Sequence, residues 1–120
     1  MIRVEVDRAT WVRGVASLLL DAGGCRCALG FVGKVCGVDD AAMFRRIGPA
    51  GTLAFPGHRD MPWPAALLQD ERTTRLARAI AGANDASNLA NREEVLAKLC
   101  EEAGLELVFV GSGNPLWRAS

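Results

Sequence analysis

The 120-residue chain has no surplus of either charge: 14 Lys and Arg stand against 14 Asp and Glu. That balance weighs against a polybasic nucleic-acid binder and against an acidic mimic of nucleic acid, both of which need a strong field of one sign. The balance is also even along the chain, with eight basic and six acidic groups in residues 1–60 and six and eight in 61–120. Long apolar runs are missing too. Val15 to Leu20 contains Ser17 and stops at Asp21, far short of the roughly 20 apolar residues that cross a bilayer. The first residues, Met1-Ile2-Arg3-Val4-Glu5-Val6-Asp7, alternate apolar and charged side chains and build no secretory apolar core. A cytoplasmic chain with no membrane partner is expected. No repeat period occurs, which excludes solenoids and propellers.

Histidine is nearly absent, since His58 stands alone, and the four cysteines, Cys25, Cys27, Cys36 and Cys100, form no paired CxxC spacing. A zinc site wants two such pairs or Cys/His pairs. Disulfides want a secretory context that the chain does not display. Neither a metal nor another cofactor is expected, and the cysteines read as small buried hydrophobes.

What is present is half apolar, enough for one modest core at this length. Ile2, Val4 and Val6 alternate with charged residues as a strand does, and Leu105 to Val110 is a second, more apolar strand. Leu18 to Cys27 reads as a short hairpin turning at Asp21 and Gly23-Gly24. Helices are expected over Ala28 to Cys36 with Gly37 as its stop, Ala41 to Ile47 after an Asp39 or Asp40 cap, and Asp70 to Ala81. A last helix opens at Asn91 with Glu94 in the sense of a capping box. It carries a stripe of Val95, Leu96, Leu99, Cys100 and Ala103. Gly30 and Gly33 weaken the first of these helices unless they serve close packing against a neighbour. The expected fold is therefore α+β, a single domain over 1–120. A short antiparallel sheet, with strands near 2–7, 17–27 and 105–110, packs on three or four helices, and 111–120 forms a flexible tail.

Catalytic patterns are weak. His58-Arg59-Asp60 repeats three letters of the kinase catalytic loop in a chain far too short for a kinase. No GxGxxG or GxxxxGK[ST] accompanies Gly30, Gly33 and Gly37. Arg72, Arg75 and Arg78 lack interleaved aromatics and follow Asp70-Glu71, so they read as a solvated helix face. Glu93-Glu94 and Glu101-Glu102 fall on the wet side of the last helix. The informative irregularity is 48–64, which holds four of the five prolines and cannot sustain regular structure. Phe55, His58, Arg59, Met61 and Trp63 lie there, rich in the residue types that anchor interfaces. Either they fold over the core as a lid or they form a contact surface. Trp117 in the tail poses the same choice.

Thr10-Trp11-Val12-Arg13-Gly14, Leu19-Leu20, Cys27-Ala28-Leu29-Gly30-Phe31 and Cys36-Gly37 follow one another as TWxRG…LL…CxLGF…CG. Trp63-Pro64, Asn84-Asp85 and Phe109-Val110 continue in order. This pattern resembles small phage- and prophage-type proteins of unassigned function, over about residues 2–110. The resemblance implies a non-enzymatic accessory or inhibitory factor that binds a host or phage protein, of which anti-CRISPR proteins are one class. In that role Phe55, His58, Arg59, Met61, Trp63 and Trp117 would be the partner-binding residues. A small enzyme using Cys25 or Cys27 with His58, and a homo-oligomeric structural protein pairing a strand edge or Leu18–Leu20, are the competing classes.

Overall fold

Alternating and helical periodicities yield their elements in this order: β1 (Ile2–Asp7), β2 (Val12–Gly14), α1 (Ala28–Cys36), α2 (Asp40–Met43), a 3-10 turn at Ala65–Leu67, α3 (Arg75–Asp85), α4 (Arg92–Glu102), β3 (Leu105–Val110) and β4 (Leu116–Arg118). The structure, a computed structural model, describes residues 1–14, 18–44, 62–67, 75–86, 89–113 and 116–118. An α+β fold is what these elements form. No helix among the described residues is long and apolar enough to cross a membrane.

The strands pair in parallel, not antiparallel as their patterns had suggested. β1 lies beside β3 from Ile2 with Leu105 to Asp7 with Val110, and β2 lies beside β4 from Val12 with Leu116 to Gly14 with Arg118. Alternation of apolar and polar residues says which face is buried and nothing about strand direction. Direction is set by the connection, because a parallel pair needs a long crossover, usually helical. Here α4 packs on β3 and enters it directly through Ala103 and Gly104. The two chains then bend together. Between the ladders one chain spends residues 8–11 and the other 111–115, one residue more. Gly111 and Gly113, within the described part of the longer stretch, have φ of 83° and 102°, which suit a residue without a Cβ. Residues 116–118 of the expected flexible tail are thus tied into a ladder.

The expected hairpin at 18–27 reverses as its residues dictate but is no strand pair of the sheet. Asp21 Oδ1 accepts from the N–H of Gly23 and of Cys25 at 2.8 and 2.9 Å, and the Cys27 N–H reaches the Leu18 carbonyl. Both legs bridge outward instead, Arg26 to Trp11 and Leu20 to Phe44, each in parallel. Between the legs themselves the Asp21 N–H reaches the Cys25 carbonyl and the Cys27 N–H the Leu18 carbonyl, without a continuous ladder.

Helix α1 is the central element, with Ala28 through Gly33 all buried. Its glycines serve close packing. A Cβ on Gly30 would overlap the Leu19 carbonyl, and one on Gly33 would meet the Met43 sulfur at 2.5 Å and the Trp63 ring at 2.8 Å. Around α1 gather Val4, Val6, Trp11, Leu19, Met43, Trp63, Leu67, Ile80, Leu96, Cys100 and Leu105, all buried. The α4 stripe is as expected at its centre, with Leu96 and Cys100 fully buried and Val95, Leu99 and Ala103 half-buried. Its capping box does not form. Asn91 has φ −107° and ψ 37° and makes no side-chain cap bond, because a side chain leaving that backbone is not directed at the first-turn N–H groups. Asp39 does cap α2, accepting from Ala41 N. Of the helix expected over 70–81, residues 70–74 lie outside the described residues and the rest runs on to Asp85.

Gly30→Ala should cost about 3 kcal/mol or more, the upper part of the range for overpacking a close contact, because the obstacle is a backbone carbonyl that cannot rotate away. Urea unfolding measures this; a loss under about 0.5 kcal/mol, the size of a neutral surface change, would contradict the packing.

Candidate functional site

Two polar clusters organise the described surface near the strand bend. The first is buried. Asn84, 1% exposed near the end of α3, accepts from the Trp11 indole N–H at 2.7 Å and from the Ala28 N–H at 3.0 Å. Its amide nitrogen donates to the Val12 carbonyl at 3.0 Å and to Asp85 Oδ1 at 2.9 Å. One side chain therefore joins α3, the start of α1 and the start of β2. Both lone pairs of its carbonyl oxygen and both of its N–H groups are thereby used, which offsets the cost of burying an amide.

The second cluster opens to solvent. Arg8, in the bend after β1, donates through Nε and Nη2 to both oxygens of Glu93 at 2.9 and 2.6 Å, and through Nη1 to the Gly111 carbonyl at 2.5 Å. Its guanidinium also lies 5.8 Å from the centre of the Phe109 ring, which itself packs 5.0 Å from Trp11. The hydrogen bond to Glu93 raises the Arg8 pKa above its ordinary value. Arg92 turns inward to the carbonyls of Ala83 and Ala86, and burial, followed by the nearby Arg13 charge, lowers its pKa. Both remain cationic, since an arginine does not deprotonate in a protein.

A cleft of about 270 Å³ lies at the start of α4, lined by Trp11 and residues 89–94. Its three charged lining residues, Arg92, Glu93 and Glu94, are already engaged within the chain. Among the described residues its lining brings together no nucleophile and base. Among the described residues no group of three His, Cys, Asp or Glu could hold a metal.

The expected contact residues divide. Trp63 is 8% exposed and packs on Gly33 as part of the core, so an exposed anchor at Trp63 gives way to a core role. Its ring fills the space that Gly33 leaves, which is the lid alternative realised for this residue. Phe55, His58, Arg59 and Met61 lie outside the described residues. Trp117 sits in β4, in register with Arg13. The cysteine pairing with His58 loses half its chemistry at Cys27. Burial pushes that thiol up to about 12 from 9.0, although the N–H groups of Gly30 and Leu29 partly oppose the shift, and a protonated thiol is a poor nucleophile. Cys100 is likewise raised to about 12 by burial, and Cys25 is buried.

Arg8, Asn84 and Glu93 were invisible as a group in the sequence. Asn84-Asp85 stood out only as a turn-like pair, and nothing links Arg8 to a carboxylate 85 positions on. Comparison of the chain with protein-family models, curated proteins and solved structures finds no match.

Asn84→Ala would strand the Trp11 and Ala28 donors and the Val12 acceptor inside the core, each costing about 1–3 kcal/mol. A loss of at least about 3 kcal/mol in chemical denaturation is expected; a drop below about 1 kcal/mol, the net worth of one ordinary hydrogen bond, would mean that water takes over the amide's role. The thiols give a separate test. Cys27 and Cys100 ionise later in the folded chain than in the unfolded one, so their contribution is complete below pH 9.0 and declines as pH rises toward about 12. Denaturant midpoints should fall over that window. A thiol reagent at neutral pH should modify the half-buried Cys36 first, with the three buried cysteines reacting only on unfolding; rapid modification of Cys27 in the folded chain would contradict this.

Proposed function

We propose that the chain is a non-enzymatic protein-binding factor of the phage or mobile-element kind, an accessory or inhibitor of a host protein machine. Its particular form would be an anti-CRISPR protein that binds a host CRISPR effector. The observation that carries the binding role is the clamp on Gly33. Met43 and Trp63 both bury against that glycine. Met43 and Trp63, which bracket Phe55, His58, Arg59 and Met61 in the sequence, thus meet at one place on α1. Recognition residues are commonly carried in this way, on a connection held by a rigid scaffold. Phe44, 44% exposed, and the exposed Pro62 add apolar surface at the two feet.

The even charge balance favours recognition through shape and a few anchors over electrostatic mimicry. The phage-type part rests on the resemblance of the TWxRG…CxLGF…CG pattern, which is analogy at the level of sequence.

Expression of the chain in a CRISPR-immune bacterium should restore plaque formation by a targeted phage. Phe55→Ala with Arg59→Ala should abolish the rescue while the melting temperature moves by no more than about 2 °C. Trp63→Ala should instead cost about 3–5 kcal/mol of stability, as deletion of a core aromatic does. Unchanged plaquing in hosts carrying several CRISPR types would remove the anti-CRISPR form. Full rescue by the Phe55/Arg59 double variant would remove the loop as the contact.

A further inference from the structure

Among the described residues the β1–β3 ladder is two strands wide, parallel, and covered on one face only. Parallel sheets normally have both faces covered, and a lone two-stranded ladder is marginal. Among the described residues no segment pairs with the outer edge of β1. The Ile2 N–H reaches the Gly104 carbonyl and the Arg8 N–H the Val110 carbonyl, so even-numbered residues of β1 turn their backbone groups to β3. Arg3 and Glu5 therefore turn theirs outward, away from β3 and from every described strand. Their side chains stand on the uncovered face, 61% and 59% exposed. Ile2, 49% exposed, is the apolar residue at the start of that edge.

We propose that this edge pairs with the same edge of a second copy of the chain, antiparallel about a two-fold axis at Val4. Charge chooses both the partner and the register. With Val4 opposite Val4, Arg3 of each copy faces Glu5 of the other, and those are the residues whose N–H and C=O groups point outward. Two symmetric hydrogen-bonded pairs form, each carrying opposite charges directly across the junction. Shifting the axis to Arg3 sets arginine against arginine, which is unfavourable. Shifting it to Glu5 sets glutamate against glutamate and brings Arg3 opposite Asp7, whose carbonyl and carboxylate are already engaged by Thr10 and Ala9 and cannot complete that pair. Ile2 then faces Val6 of the second copy on the core side. The edge is closed off at Asp7, whose carbonyl and carboxylate are occupied by Thr10 and Ala9 in the following turn. The outer edge of β3 has no such code, since Glu106 is the one charged residue of that strand. The result is a four-stranded sheet, β3-β1-β1-β3, with an isologous interface.

Within one chain Arg3 already lies 3.5 Å from Glu5, so the pairing brings four alternating charges together without recruiting new ones. This inference is independent of the 45–61 segment and of any host partner.

Sedimentation velocity from micromolar to about 1 mM should show a reversible monomer–dimer equilibrium. Arg3→Glu and Glu5→Arg should each weaken it by about tenfold or more, because each variant turns both cross-edge pairs repulsive. Their exposed positions leave the fold intact, which far-UV circular dichroism checks. The double variant Arg3→Glu/Glu5→Arg should dimerise again, and an equimolar mixture of the two single variants should associate although neither does so alone. A monomer throughout the range, or dimers indifferent to all these substitutions, would overturn the proposal. A mixture of single variants that stays monomeric while wild type dimerises would overturn the register.

Discussion

The rest of the molecule depends on a single buried amide. Asn84 receives the Trp11 indole N–H and the first N–H of α1, and returns a hydrogen to the Val12 carbonyl. Three elements distant in sequence therefore meet at one side chain that cannot be moved without stranding buried donors. Trp11 is fully buried because its one polar atom is satisfied there. From Trp11 the order passes to Phe109 by ring contact and so to β3. Apolar burial drives the chain to collapse, but it is non-directional; the amide selects which collapsed arrangement is native.

Charge is spent in the same manner, on junctions. Arg8 holds the turn after β1 to the turn after β3 through the Gly111 carbonyl, and to α4 through Glu93. Arg26, 7% exposed, lies beside Gly30 and reaches Asp40, whose side chain is largely in solvent, at 2.8 Å. A buried guanidinium with a partner at the surface keeps one end of the pair hydrated, which lowers the desolvation cost that a wholly buried pair would carry. Since these cations are engaged within the fold, the neutral balance of the sequence becomes a surface with few free strong charges near the bend. Two places stand out against it. One is the clamp of Met43 and Trp63 on Gly33, with Phe44 exposed beside it; the other is the outer edge of β1, where Arg3 and Glu5 are exposed.

Much of the helical part of the fold was legible because its signals are local. Gly37 ends α1 in the left-handed conformation with φ 91°, and Leu96 and Cys100 bury at helical spacing. Asp39 caps α2 from one residue outside it. The capping box at Asn91 is absent although both its residues are local: the Asn91 backbone, at φ −107° and ψ 37°, does not aim its side chain at the first turn, and Glu94 pairs with Lys98 instead. The candidate site was less legible still. Trp63 looked like an interface residue by type and proximity to prolines, whereas its place was decided by the vacancy at Gly33, thirty positions earlier.

Composition and periodicity by themselves determined the fold class, the two long strands, the inward faces of the helices and the absence of a dominant charge. Each of these depends on residues within a few positions of one another, or on a sum over the whole chain. Only the tertiary structure decided that the strands run parallel, that the bend carries one extra residue, that Asn84 and Arg8 are junctions and that Trp63 is core. Those outcomes turn on which distant segments compete successfully for the same backbone groups and the same space. A pattern of alternating residues is identical under every such pairing, so the choice is made by steric fit and by satisfaction of buried polar atoms.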